Sequence, residues 1–278
     1  MRRKQSQAGA DARLPVHEIP ESPENAGPEQ ERDRILFRRK SPQNRIMEPK
    51  MKQEVSFPRF TVLTGNYGSG KTELALNLAL AFAAKGLKTT LVDLDIVNPY
   101  FRSAEKKPEL EKAGIRVLMP TFALTTVDIP ALPPEIQSVF EEPSDRVIFD
   151  VGGDDTGAAA LGRYAPAFGK VREDTVSALV LNCMRPLTET EEDILDLAAR
   201  IGARGRLGID WIVNNTNLAD RTEPEMVERG EAVALSCARR LKVSRVITSG
   251  IGEVLDRCRL QTPRIFMERK MVPEWMTD

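Results

Sequence analysis

The stretch FTVLTGNYGSGKTELALNLALAFAAKG, Phe60–Gly86, decides how the rest of the chain is read. An apolar, β-branched run leads into Gly65-Asn66-Tyr67-Gly68-Ser69-Gly70-Lys71-Thr72, and an alanine- and leucine-rich run follows at once. This is G-x-x-x-x-G-K-T between a predicted strand and a predicted helix. Gly65, Gly68 and Gly70 let the backbone fold tightly, so that successive N–H groups can face an anion. Lys71 can reach the β- and γ-phosphates of a nucleotide, and the Thr72 hydroxyl can ligate Mg²⁺. The helix adds its positive N-terminal end. Asn66, Tyr67, Ser69 and Glu73 complete the loop and first turn that would surround the phosphates.

Outward from the loop, the chain alternates apolar runs (RFTVLTG, KTTLVDLD, IRVLMP, DRVIFDVGG, VSALVLNC, IDWIVNN, VSRVITSG) with helical stretches such as LTETEEDILDLAARIG and TEPEMVERGEAVALSCARRL. Continuous apolar strands separated by helices predict an α/β fold in three layers: a mostly parallel sheet of about seven strands with helices on both faces. Ligands bind such sheets beyond the carboxyl ends of the strands, so the residues closing each apolar run carry the information. In VDLDIVNPYFR, alternation puts Asp93 and Asp95 on one side of the second strand, and Asn98-Pro99 then forces a turn. Two neighbouring aspartates are costly without a cation. In VIFDVGGDDTG, Asp150 follows an apolar run as a Walker B carboxylate does. Asp150-Val-Gly-Gly153 also fits D-x-x-G, in which a glycine N–H senses the γ-phosphate. In VNNTNL, the amides of Asn214 and Asn215 can read a purine edge or simply cap the strand end. A guanine reader would carry an aspartate at the position of Asn217 or Leu218, so adenine is favoured.

Residues 1–55 are rich in Pro, Glu, Gln and Arg and too poor in apolar residues to offset chain entropy; they are expected to be a disordered polar tail, ahead of a nucleotide-binding domain over 56–278. Met47 and Met51 closely precede the first strand and offer alternative starts. Lys+Arg number 40 against 41 Asp+Glu, so no polyanion-binding field and no nucleic-acid partner is expected. Cys183, Cys237 and Cys258 form neither a disulfide framework nor a zinc site, which suits a reducing compartment. No apolar run reaches the ~18 residues of a membrane span, and no secretory leader is visible. A cytoplasmic protein is expected. The C-terminal PRIFMERKMVPEWMTD is expected to pack back on the domain.

These motifs resemble the SIMIBI class of P-loop proteins, and within it the CobQ/CobB/MinD/ParA nucleotide-binding domains, over roughly Phe60 to Gly250. The resemblance implies that Lys71 and Thr72 bind phosphate and Mg²⁺ and that Asp95 positions the attacking water. It further implies that Asp93 and Asp150 support the metal and that Gly153 senses the γ-phosphate. ParA and MinD proteins carry a lysine at the second loop position that reaches across a dimer; here that residue is Asn66. Arg102 or Arg163 are candidates for a replacement charge. The implied function is a Mg²⁺-dependent ATPase of the switch type, controlling a dimer or protein-partner surface. An ATP-dependent phosphotransferase or ligase is the alternative, with DDTGAAALGRY as the stretch to line its second pocket. A metallochaperone GTPase is disfavoured by the lack of His/Cys clusters and of N-K-x-D.

Overall fold

Every apolar run named above contains a strand. The computed structural model describes residues 55–95, 103–119 and 135–271. Residues 1–54 of the predicted tail, the Asn98-Pro99 turn, Arg102 and the last residues from 272 onward lie outside them, whereas Val55, placed at the end of the tail, is buried in the core. Along the chain run β1 (Phe60–Thr64), α1 (Lys71–Ala84), β2 (Thr89–Leu94), α2 (Ser103–Lys112), β3 (Arg116–Leu118), α3 (Glu135–Ser138), β4 (Arg146–Val151) and α4 (Asp155–Gly162). There follow α5 (Ala165–Lys170), β5 (Thr175–Leu181), α6 (Glu191–Gly205), β6 (Trp211–Asn214), α7 (Pro224–Leu241), β7 (Arg245–Ile251), α8 (Gly252–Leu255) and β8 (Arg264–Met267).

The sheet has eight strands in the order β3-β2-β4-β1-β5-β6-β7-β8, and every pairing is parallel. The expected parallel architecture holds, with one strand more than anticipated: β8 pairs with β7 through Thr248–Arg264 to Ile251–Met267. The C-terminal segment thus packs on the domain by joining its sheet.

Alternation divides the strand residues between two faces. Leu63, Leu91, Ile148, Val180, Val213 and Ile265 share one core cluster with Leu74, Leu78 and Phe82 of α1. On the other face Val62, Phe149 and Val151 meet Leu161 of α4 and Phe168 of α5, while Leu179 and Ile212 meet α6 and α7. Helix α6 shows why it lies there: Ile194, Leu197, Ala198 and Ile201 recur at helical spacing and are buried, and Thr190 caps its start by accepting from Asp193 N at 3.2 Å. Helix α1 is apolar nearly all round and is accordingly buried under the sheet's centre.

The chain leaves the adjacent strands β1 and β5 in opposite directions at their carboxyl ends. The connection after β1 leads toward β2, and that after β5 leads toward β6. A crevice at such a point is where an open α/β sheet takes its ligand.

Candidate functional site

Gly65–Gly70 bridge β1 and α1 with the tight backbone their spacing predicts; Gly68 and Gly70 are left-handed, at φ 75° and 86°. Lys71 is buried, and its Nζ donates to the Asn66 carbonyl at 3.0 Å across the loop. Burial depresses the Lys71 pKa, while the carboxylates of Asp150, Asp95 and Asp154 oppose that shift. An anion in the loop would restore the compensation that burial removes.

The next residue is tied to the opposite strand. Thr72 Oγ1 donates to Asp150 Oδ2 at 2.6 Å. Asp150 is almost fully buried, and burial pushes its carboxyl up to about 6 against the opposing effects of Lys71 and the Thr72 hydrogen bond. Its other oxygen, Oδ1, is buried with no hydrogen-bond partner among the described residues. Such an acceptor fits a water in the shell of a Mg²⁺ ion ligated by Thr72. Among the described residues no three His, Cys, Asp or Glu side chains group to hold a metal. Mg²⁺ at phosphate sites takes few protein ligands and keeps its waters, so Thr72 and Asp150 suit it.

Asp93 stands in register with Asp150 across β2 and β4. Its Oδ1 accepts from Asp95 N at 2.8 Å, which holds Asp95 at the end of the strand. Asp95 Oδ1 lies against Gly152, 3.2 Å from where a Cβ would be. Gly153 is packed backbone to backbone on the loop: a Cβ there would meet Tyr67 N at 2.5 Å and the Asn66 carbonyl carbon at 2.8 Å. Asp154 then caps α4 by accepting from Gly157 N at 2.8 Å. A Cβ on Gly157 would fall 2.4 Å from Gly152 O, so the helix start is seated on the loop that carries Gly153.

Asn214 and Asn215 are spent inside the protein. Asn214 Nδ2 donates to Val227 O at 3.0 Å, and its Oδ1 accepts from Thr216 N at 3.2 Å. Asn215 Nδ2 donates to Ser69 O at 2.8 Å, and its Oδ1 accepts from Ser249 Oγ at 3.0 Å. Asn215 therefore anchors the loop to β6. DDTGAAALGRY forms the cap and body of α4, and Ala158, Ala160 and Leu161 are buried. Arg163 is exposed at the end of that helix and lines neither cavity described next.

A cavity of about 520 Å³ opens over the loop, lined by Gly70, Lys71, Thr72, Asp95, Gly153 and Arg185 among others. Beside it lies a second of about 300 Å³, walled by Asn217, Asp220, Val227, Leu255, Arg269 and Met271. Sequence reasoning missed three contributors. Arg185 follows β5 and belongs to no phosphate motif. Asp220 and Arg269, an ion pair on the second cavity's wall, are separated by almost fifty positions. The C-terminal segment reaches the site because Glu73 accepts from the backbone N–H groups of Lys270 and Met271, and Asn77 exchanges two 2.9 Å hydrogen bonds with the Glu268 backbone.

Among solved structures the chain is similar to the signal recognition particle receptor FtsY from Elizabethkingia anophelis, at 20% identity and TM-score 0.46, covering 74% of this chain and 62% of that one. It is also similar to the signal recognition particle 54 kDa protein of Aeropyrum pernix K1 in complex with GDP (24% identity, TM-score 0.44, 73% of this chain and 44% of that one). A third is a nucleotide-binding protein of Archaeoglobus fulgidus in complex with ADP, at 17% identity, TM-score 0.42, 72% of this chain and 84% of that one. The chain thus spans less than two thirds of the first two. A search of curated proteins returns no match. The profile of the CobQ/CobB/MinD/ParA nucleotide binding domain matches residues 60–239, from the first residue of β1 into α7. The loop at the switch point and the strand-end carboxylates all fall within that span. The chain belongs to the CobQ/CobB/MinD/ParA nucleotide-binding family of SIMIBI-class P-loop NTPases.

Proposed function

We propose that the chain binds ATP with Mg²⁺ and hydrolyses it slowly, its nucleotide state controlling a surface for a protein partner or a second copy. The observation that carries this reading is Asp150, a buried carboxylate with one oxygen on the Thr72 hydroxyl and the other unpartnered, next to Lys71 at the loop. Lys71 and the loop N–H groups hold the terminal phosphates, and Asp95 orients the attacking water. That water's oxygen bonds to the γ-phosphorus while the bond to the β–γ bridging oxygen breaks, its electron pair leaving with the nucleoside diphosphate and one water proton passing to the released phosphate. Gly153 offers a backbone N–H to the γ-phosphate and loses that contact after hydrolysis. Mg²⁺, when bound through Thr72 with Asp150 behind it, supplies charge neutralisation at the phosphates.

The neighbouring cavity is assigned to the nucleoside. Its lining carboxylates are engaged: Asp220 pairs with Arg269, and Glu73 holds the Lys270 and Met271 N–H groups. Counting from Asn214 and Asn215, the residues three positions on are Asn217 and Leu218 rather than the aspartate that would take the paired N1 and N2 donors of guanine, which favours adenine. Calorimetry with ATP and Mg²⁺ tests the reading. Lys71→Ala should lose about tenfold or more in affinity, the scale of one charge-assisted hydrogen bond. Equal affinities for wild type and variant would overturn the assignment, and tighter GTP than ATP would overturn the base preference.

A further inference from the structure

Arg185 lies in the loop between β5 and α6, and its side chain runs along the phosphate loop. A Cβ placed on Gly68 would sit 3.5 Å from Arg185 Nε and 3.6 Å from its Cδ. With Lys71 it makes up the cationic lining of the 520 Å³ cavity among the described residues, which Glu73 and Asp95 also line. Among the described residues the guanidinium has no ion pair or hydrogen bond, so its charge is not committed elsewhere.

The loop that presents it is built to stay in place. Arg185 N donates to Asn182 O at 3.0 Å, and Thr188 Oγ1 donates to Asn182 O at 2.8 Å and to Arg185 O at 3.1 Å. Asn182 Oδ1 accepts from Met184 N at 3.0 Å. Leu187 takes a left-handed φ of 65°, uncommon for a residue other than glycine. Asn66 then clasps this loop to the phosphate loop, its Nδ2 donating to Pro186 O at 3.1 Å. The residue that stands in place of the dimer-bridging lysine thus secures a cation from the same chain.

We infer that Arg185 is the second phosphate-binding cation of this site, supplied in cis, and that Asn66 is its positioning residue. The ligand class is a nucleoside triphosphate, whose terminal phosphate oxygens accept from the guanidinium. A planar fork of donors suits the γ-phosphate, and Lys71 serves as the point charge across from it. The inference rests on the proposed nucleotide site and adds that its charge compensation needs no second copy.

The test is a titration of the full chain with Mg²⁺ and either ADP or a non-hydrolysable ATP analogue, using wild type, Lys71→Ala, Arg185→Ala, Arg185→Lys and Asn66→Ala. Arg185→Ala should weaken the triphosphate analogue about tenfold or more and ADP less than about twofold, the difference expected for one lost charge-assisted contact to the γ-phosphate. Arg185→Lys should recover part of that loss. Asn66→Ala should shift binding the same way, and adding it to Arg185→Ala should cost nothing further, since the clasp acts through the arginine. The ligand-free melting temperature of Arg185→Ala should match wild type. Equal losses for both nucleotides, or wild-type binding by Arg185→Ala, overturn the inference. If wild type binds and Lys71→Ala does not while Arg185→Ala is unaffected, the nucleotide site stands and only Arg185 falls. If wild type binds neither nucleotide, both readings fall.

Discussion

Asp150 must stay buried to back the Thr72 hydroxyl, yet burial favours its protonated form. The carboxyl is raised from the ordinary 3.8 to about 6. Between those values the unfolded chain has released a proton that the folded chain keeps, so this group makes ligand-free stability fall as pH rises through that window. Above about pH 6 both states are ionised and the contribution is constant. Asp150→Asn should remove that decline, seen as a flatter plot of urea stability against pH. Parallel plots for the two proteins would show that the carboxyl titrates normally. The local motif made Lys71, Thr72 and Asp150 legible in the sequence, because loop spacing and strand ends are short-range features. Asn215 was not resolved that way, since an amide becomes a tether or a reader according to what folds over it. Arg185 was invisible for a stronger reason: its approach to Gly68 depends on the Asn66–Pro186 contact across 120 positions.

Helix α1 carries the phosphate loop at its start and holds the C-terminal segment along the same turns. Asn77 is buried, and both ends of its amide are satisfied by Glu268: Nδ2 donates to Glu268 O and Oδ1 accepts from Glu268 N. Asn77→Ala should therefore cost about 1–3 kcal/mol, the penalty for leaving buried backbone groups unpaired, with little change in the denaturant slope. Urea unfolding followed by circular dichroism measures both, and an unchanged midpoint would mean the segment is not held there. Seven of the strands were legible as apolar runs flanked by turn signals. The eighth was not: Arg264–Met267 runs directly into GluArgLys without a turn signal to close it, so its pairing with β7 makes it a strand.

Across the whole molecule, helices cover both faces of the sheet, and the three thiols are all inside that structure. Cys237 and Cys258 are pushed up to about 11 by burial, and Cys183 is also raised. Native protein should react with a thiol reagent such as dithionitrobenzoate only as fast as it opens, and immediately in urea. Rapid labelling of any thiol in the native state would place that part of the core in doubt. Among the described residues no helix is long and apolar enough to cross a membrane.

Gly153 against Tyr67, and Gly157 against Gly152, form a short series of contacts with no side chain in between. In mechanical terms this is a stiff linkage. A contact between side chains can absorb a shift of a few tenths of an ångström by changing rotamer, whereas backbone pressed on backbone has no such slack. The phosphate loop and the first turn of α4 are thus coupled backbone to backbone, and α4 meets α6 in the same way, with Gly162 against the Arg204 carbonyl.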